Sequence, residues 1–316
     1  PPSPWPAGGP GRPRGRMRGA ASRALGLCAR RSGQLLGGRR SAPYGRSFAA
    51  AAHGERPDHL TRTACEPRQD LVAEARIVDV REETPTVREL ELEVGDSAFT
   101  FRPGNWVDFF IEGVPKVGGY SMCSIPAELP RLRLAVKRSR HPPAAWCHSA
   151  AAAPGTIVHV KAGGQFCWDA AYDGAGTSHL LLVAGGIGIN PLYSILQAAV
   201  ATPREALPGL RRISLLYSAA RPSELAYRKH MEELAASDDR VRLDLRVTRN
   251  AEPEEAWTGA TGRLSADTLA AALAEAPAAE TLAYVCGPPA MTDELVAMLK
   301  GPLALPDGRV RSEKWW

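Results

Sequence analysis

With 316 residues, 44% of them hydrophobic, the chain can bury two cores of ordinary domain size, and no apolar run reaches the roughly 18 to 20 residues of a bilayer-spanning helix. Its net charge of +5 lies entirely at the front: residues 1–54 hold ten of the 39 cations and no acid, leaving 29 cations against 34 acids in the rest. That mildly acidic body argues against a nucleic-acid partner.

The front is Arg-rich, acid-free and well supplied with Ala, Ser and Gly, the composition of a mitochondrial transit peptide. From Met17, MRGAASRALGLCARRSGQLL sets arginines on one helical face and Ala and Leu on the other, and Arg46-Ser47-Phe48-Ala49 has the form of a matrix-processing site. Residues 1–69 are therefore predicted as a disordered transit peptide and linker, with the protein in the mitochondrial matrix. The six cysteines show no CxxC pair and no zinc-like spacing, so no metal site is expected.

From Leu71 to Phe166 the alternation is that of strands: LVAEARIVDV, VRELELEV, FTFRPGNWVDFFI, RLRLAVKR and GTIVHVKA, parted by turns such as Arg102-Pro103-Gly104-Asn105. These predict a small antiparallel β-barrel over residues 70–173, although a sandwich would show the same alternation. Beyond Asp173-Gly174-Ala175-Gly176 strand and helix take turns. HLLLVAG is a continuous apolar strand, Asn190 and Pro191 suit the cap and first position of a helix, and RISLLYS precedes a helix over Ser223–Ala236. VRLDLRVT is a third strand, Ser265 caps ADTLAAALAEA, and TLAYVCG feeds a helix from Pro289 to Lys300 that Gly301 stops. Residues 174–316 thus read as a doubly wound parallel α/β sheet.

In such sheets ligands bind beyond the carboxyl ends of strands. The segment Ala184 to Leu192, AGGIGINPL, offers Gly185, Gly186 and Gly188 for close approach of a pyrophosphate, with Ile187 and Ile189 between them and a helix N-terminus at Asn190 and Pro191. A tight turn that needs glycine for packing is the alternative. At the end of the last predicted strand, YVCGPPAM places Cys286, Gly287 and Pro288 at the same sheet edge; a free cysteine there is otherwise a small buried hydrophobe. There is no G-x-S-x-G elbow, no GxxxxGK[ST] loop and no H-E-x-x-H.

In chain order FRPGNWV, GGYSMCS, LAVKR, AGGIGINPL, YVCGPPAM and the terminal EKWW make residues 70–316 resemble the ferredoxin-NADP reductase and cytochrome b5 reductase superfamily. The resemblance implies a flavin-binding barrel ahead of a nicotinamide-binding domain, and an oxidoreductase that moves electrons from NAD(P)H through FAD to an acceptor, for which an electron-acceptor protein is a candidate. On this mapping Tyr120 lies against the flavin, Ser121 offers its hydroxyl near the reactive ring nitrogen, and Gly185 to Asn190 take the dinucleotide phosphates. Cys286 sits beside the nicotinamide over a floor of Gly287 and Pro288, and Glu313 with Trp316 closes the flavin site from the far end. Hydride transfer asks mainly for positioning, with reacting atoms roughly 3 to 3.5 Å apart.

Two departures bear on the flavin. The family's Arg-x-Tyr-Ser strand has Gly118 in place of the phosphate-binding arginine, and Arg140-His141-Pro142-Pro143-Ala144-Ala145-Trp146 stands where Gly and Ser usually serve the pyrophosphate. Lys116 and Lys137 are the candidate replacement cations. For the nicotinamide nucleotide the resemblance favours NAD, with Ser218, Arg221 and Tyr227 placed for the 2′-phosphate of NADP. The rival reading is a nicotinamide-nucleotide-binding or interaction module that kept the fold and lost the flavin.

Overall fold

The computed structural model describes residues 58–249, 257–274 and 276–315. Of residues 1–69, predicted as a disordered transit peptide and linker, residues 1–57 lie outside the described residues, as does the terminal Trp316, whereas residues 58–69 take up defined structure against the barrel. The described chain opens with a one-turn helix, α1 (His59–Arg62), followed by strands β1 (Ala73–Thr84), β2 (Val87–Val94), β3 (Trp106–Phe110), β4 (Gly118–Ser121) and β5 (Arg131–Lys137), a short helix α2 (Pro142–Cys147) and strand β6 (Ile157–Gly163). These six strands form one antiparallel sheet in the order β4-β3-β6-β1-β2-β5. Its two edges meet through the antiparallel bridge of Met122 with Leu134 and a hydrogen bond from Cys123 N to Arg133 O at 3.0 Å, which closes the sheet as the predicted barrel. Closure removes the open edges. Alternate residues of β1, β2, β3 and β5, among them Ile77, Leu90, Leu92, Val107, Phe109, Leu132 and Leu134, fill the interior.

After helix α3 (Ala170–Asp173) come β7 (His179–Gly185), α4 (Ile189–Ala201), β8 (Arg212–Ala219), α5 (Arg228–Ser237), β9 (Val241–Val247), β10 (Ala260–Thr261), α6 (Ala266–Leu273), β11 (Thr281–Gly287), α7 (Pro289–Lys300) and β12 (Val310–Lys314). Every pairing among these strands is parallel, in the order β10-β9-β8-β7-β11-β12. The continuous apolar reading of β7 follows from burial on both faces. Leu180, Leu182 and Ala184 enter the core under α4 and α5, while Leu181 and Val183 enter a second core under α6 and α7. Among the described residues no helix is long and apolar enough to cross a membrane.

Two helix starts differ from expectation. α4 begins at Ile189, with Gly188 as its cap, because the side chain predicted to cap it is used elsewhere: Asn190 Nδ2 donates to Ala135 O of the barrel at 2.7 Å. α5 begins at Arg228 rather than Ser223, since Pro222–Glu224 forms a separate tight turn and Tyr227 adopts φ +60°. Barrel and parallel sheet are knit along α4. Ser194 Oγ donates to Ser124 O at 2.6 Å and Gln197 Nε2 to Cys123 O at 2.8 Å, and Val87, Cys123 and Ala135 of the barrel share a core with α4 and α5. Flanked by the sheet on one side and the barrel on the other, α4 is buried over most of its surface.

Candidate functional site

The glycine loop follows β7 where the sheet order reverses, with β8 on one side and β11 on the other, the place where such sheets receive ligands. Gly186 turns the chain at φ +54°, and a Cβ on it would meet nothing within 4 Å, so glycine here both permits left-handed backbone and keeps the space open. Gly188 is glycine for another reason: a Cβ would fall 2.4 Å from the carbonyl oxygen of Cys286. Gly185 is crowded in the same way by Met291 Sδ, also at 2.4 Å. One glycine therefore serves the ligand side of the loop and two serve its packing. Gly186 and Ile187 open onto a cavity of about 260 Å³ that also presents Lys137, Tyr217, Arg221 and Arg249. Its one carboxylate, Glu224, accepts from the hydroxyls of Thr84 and Thr86 at 3.1 and 2.6 Å, so the three cations set the sign of the field.

Ile189, Asn190 and Pro191 are buried in the first turn of α4. The Asn190 amide is thus an anchor to the barrel rather than a phosphate ligand, and its Oδ1 is buried with no partner among the described residues. Of the residues considered for a 2′-phosphate, Arg221 lines the cavity, Ser218 is buried in β8, and Tyr227 lines a different space. Lys137, proposed from sequence as a flavin-phosphate partner, lines this cavity beside the glycine loop.

At the end of the neighbouring strand β11, paired with Ala184, Cys286 is fully enclosed in the core, and burial pushes its thiol well above the ordinary thiol range. Gly287 is close-packed on Met291 and Pro288 precedes α7, so both hold that helix against the sheet. The register of β11 on β12 sets Glu313 beside Cys286. Desolvation pushes the Glu313 carboxyl up to about 8, against the pull of Trp315 Nε1, which donates to Oε2 at 2.6 Å. Trp316 lies outside the described residues.

On the barrel, Tyr120 folds back along its own strand. A Cβ on Gly118 would stand 2.6 Å from Tyr120 Cε2 and 3.1 Å from Pro143 Cβ, so the ring fills the room that an arginine side chain would need. Tyr120 packs edge-on against Phe109 at 5.6 Å, and its hydroxyl is buried without a hydrogen-bond partner among the described residues. Desolvation, with the Cys147 thiol beside it, pushes that hydroxyl well above its ordinary value. Ser121 is buried opposite Trp106. Against the outer face of this edge lies His59 of α1. Its Nε2 pairs with Asp108 Oδ1 at 2.8 Å, Arg68 Nε donates to Asp108 Oδ2 at 2.7 Å, and the imidazole stacks on Trp315 at 6.2 Å between ring centroids.

A family model, "Oxidoreductase NAD-binding domain", matches residues 182–296. The chain is 40% identical over 273 residues to "Oxidoreductase NAD-binding domain-containing protein 1" of Danio rerio, covering 83% of this chain and 98% of the relative. It is 30% identical over 254 residues to "Ferredoxin--NADP reductase B" of Sorangium cellulosum, covering 77% and 97%. The chain belongs to the ferredoxin-NADP reductase-like superfamily. Within it, the proteins named "Oxidoreductase NAD-binding domain-containing protein 1" of Bos taurus and Homo sapiens are 39% and 38% identical to this chain, over 83% and 82% of it. A solved structure of the CS-b5R domains of human Ncb5or in its NAD+ form shares the fold, with a TM-score of 0.65 at 20% identity over 78% of this chain and 71% of that one.

Binding of NAD(P) and FAD is typical of this superfamily, and the two groups fare differently against the residues of this chain. A dinucleotide fits the glycine loop, where Gly186 holds open backbone beside three cations. A flavin does not fit the barrel edge. Gly118 supplies no charge, and Tyr120 fills the room beside it. Pro142 and Pro143 remove two N–H donors from the start of α2, the segment expected to serve the pyrophosphate. His59 stands between Gly119 of β4 and Trp315. Lys116 remains on the rim as an exposed side chain near Asp58 and His141.

Two larger cavities, of about 550 and 660 Å³, carry opposed charges that pair with one another, as Arg133 with Glu128 at 2.9 Å and Arg311 with Asp173 at 2.5 Å. Tyr120, Ser121 and Cys286 line none of the three cavities. Sequence reasoning did not single out His59, Arg68, Asp108, Trp315 or Arg249. The available signal was Asp108, a carboxylate in the middle of WVDFF, whose other residues are all apolar.

Proposed function

We propose that this protein binds a nicotinamide dinucleotide at the Gly186 loop and works without a resident flavin, the rival reading of the sequence rather than the flavin relay. The observation that carries it is the contrast between two strand ends. Beyond β7 the left-handed Gly186 leaves open space beside Lys137, Arg221 and Arg249, whereas at β4 the equivalent room is filled by Tyr120 and His59. When bound, the reduced nicotinamide supplies a hydride; the chain binds and orients the nucleotide through loop backbone and the cations around it. Cys286, enclosed and protonated, acts as packing behind the loop.

Three cations in the lining of the cavity favour a ligand that presents phosphate there. Location in the mitochondrial matrix is part of the same proposal and rests on the acid-free, Arg-rich front. The test is equilibrium titration of the full chain with NADH, NADPH and FAD, followed by protein fluorescence. One nucleotide per chain and no retained FAD are the expected results, and the NADH to NADPH ratio identifies the phosphate recognised. Protein that purifies yellow, with flavin near one per chain, overturns the reading.

A further inference from the structure

We propose that the segment Asp58–Arg68 is a built-in occupant of the cleft between the barrel edge and β12, taking the place that the resemblance assigns to a flavin ring, with Asp108 as its anchor. The inference rests on the flavin-free reading above and adds what fills the space and what holds it there. His59 and Asp108 are each only 2% exposed, and isolated charges at that depth are costly unless every lone pair is used. The Asp108 carboxylate meets that condition, accepting from His59 Nε2 at 2.8 Å, from Arg68 Nε at 2.7 Å and from Arg68 Nη2 at 3.3 Å, and Arg68 Nη1 donates to Thr63 O at 2.6 Å, while His59 Nδ1 is buried with no partner among the described residues. A buried carboxylate satisfied to that degree marks a permanent contact.

The barrel is also shaped for it. A Cβ on Gly119 would fall 2.1 Å from His59 Nδ1, and one on Gly163 would fall 2.7 Å from Trp106 and 2.9 Å from Arg68 Cγ. Trp106, on the outer face of β3, receives the edge of the imidazole at 4.8 Å and the Arg68 guanidinium at 4.8 Å. The opposite wall is Trp315, stacked on His59 and tied to β11 through its N–H to Gly287 O at 3.1 Å. Further along, Gly164 N donates to Pro67 O and Gln69 N to Ala162 O, at 2.9 and 3.1 Å, and Arg68 bridges Gly163, so the segment ends as a short extension of the barrel edge. A planar imidazole between two indoles, fixed by one carboxylate, thus joins the two walls of the cleft.

Hydrogen exchange on the full-length protein and its Asp108→Asn and His59→Phe variants, with FAD and riboflavin titrations alongside, tests this. The expected result is protection of residues 58–69 in the wild type and at least tenfold faster exchange there in Asp108→Asn. β7 to β9 should keep their rates, NADH affinity should stay within twofold, and no form should bind flavin. His59→Phe, which keeps a ring but loses the pair, should fall between. Unprotected residues 58–69 in a wild type that binds no flavin overturn this inference alone. Flavin binding that exposes the segment overturns the permanent occupancy, and flavin binding that leaves it protected overturns the cleft assignment; either result also removes the flavin-free reading.

Discussion

Tyr120 shows how one absent side chain changes the meaning of its neighbour. With glycine two residues earlier, the phenol turns inward onto Phe109 and its hydroxyl loses water with only the weakly bonding Cys147 thiol beside it. A buried unsatisfied hydroxyl costs about 1 to 3 kcal/mol, so Tyr120→Phe should leave the urea midpoint unchanged or raise it. A flavin-stacking tyrosine would give no such gain. Restoring the family charge by Gly118→Arg should fail in the opposite way, destabilising the barrel without conferring flavin, because its Cβ already lies 2.6 Å from the Tyr120 ring. At the glycine loop the sensitive position is Gly186, where valine meets both a left-handed φ and the open nucleotide side. Gly186→Val should weaken nucleotide binding at least tenfold, read by the same fluorescence titration.

Among the elements, α4 carries two duties that its sequence does not separate. Its start serves the loop, while Asn190, Ser194 and Gln197, spaced on one face, donate to three barrel carbonyls. Asn190→Ala removes one donor and leaves Ala135 O buried without it, a loss of about 1 to 3 kcal/mol that should appear in urea unfolding, with barrel and parallel sheet separating into two transitions. Nucleotide affinity should change far less than in Gly186→Val, since the amide faces the barrel. Lys137 makes the converse case: a barrel residue that should matter to the nucleotide. Lys137→Ala should weaken binding several-fold at low salt and less at high salt, as befits an exposed cation near phosphate. The parallel strands were legible because burial on both faces forces continuous apolar runs, and the barrel because one buried face forces alternation. β12 was not, since VRSEK alternates weakly and its place is decided by pairing with β11. α1 was hidden for a sharper reason. A four-residue helix has no period to read, and its pairing partner Asp108 lies 49 residues away.

For the molecule as a whole, the fully buried His179 and the half-buried Glu313 set opposing pH dependences of stability. His179, fully buried at the start of β7 and bonded to Ser214 Oγ at 2.9 Å, is held down to about 4 by desolvation, with Arg212 adding repulsion. Because its folded value is depressed below the ordinary 6.5, the unfolded chain binds the proton first. Its contribution is complete above about pH 6.5 and is lost as pH falls toward 4, about 3 kcal/mol in all. Glu313 runs the other way. Its folded value of about 8 exceeds the ordinary 4.5, so the folded chain holds the proton longer, and its contribution is complete below about 4.5 and lost as pH rises through 8. Between about 4.5 and 6.5 the two slopes offset each other, and above 6.5 only Glu313 acts. At lower pH Asp108 adds a further loss: desolvation opposes its charge, but the bonds from His59 and Arg68 prevail and hold it below the ordinary carboxylate range. Urea unfolding should therefore show a plateau at mildly acidic pH and a decline from about 6.5 to 8. In Glu313→Gln that decline should flatten, and in His179→Asn the plateau should be lost, with stability rising as pH falls from 6.5 to about 4.5. A decline above pH 6.5 that persists in Glu313→Gln would place its origin elsewhere and remove the half-buried carboxyl beside Trp315 from the account of the cleft.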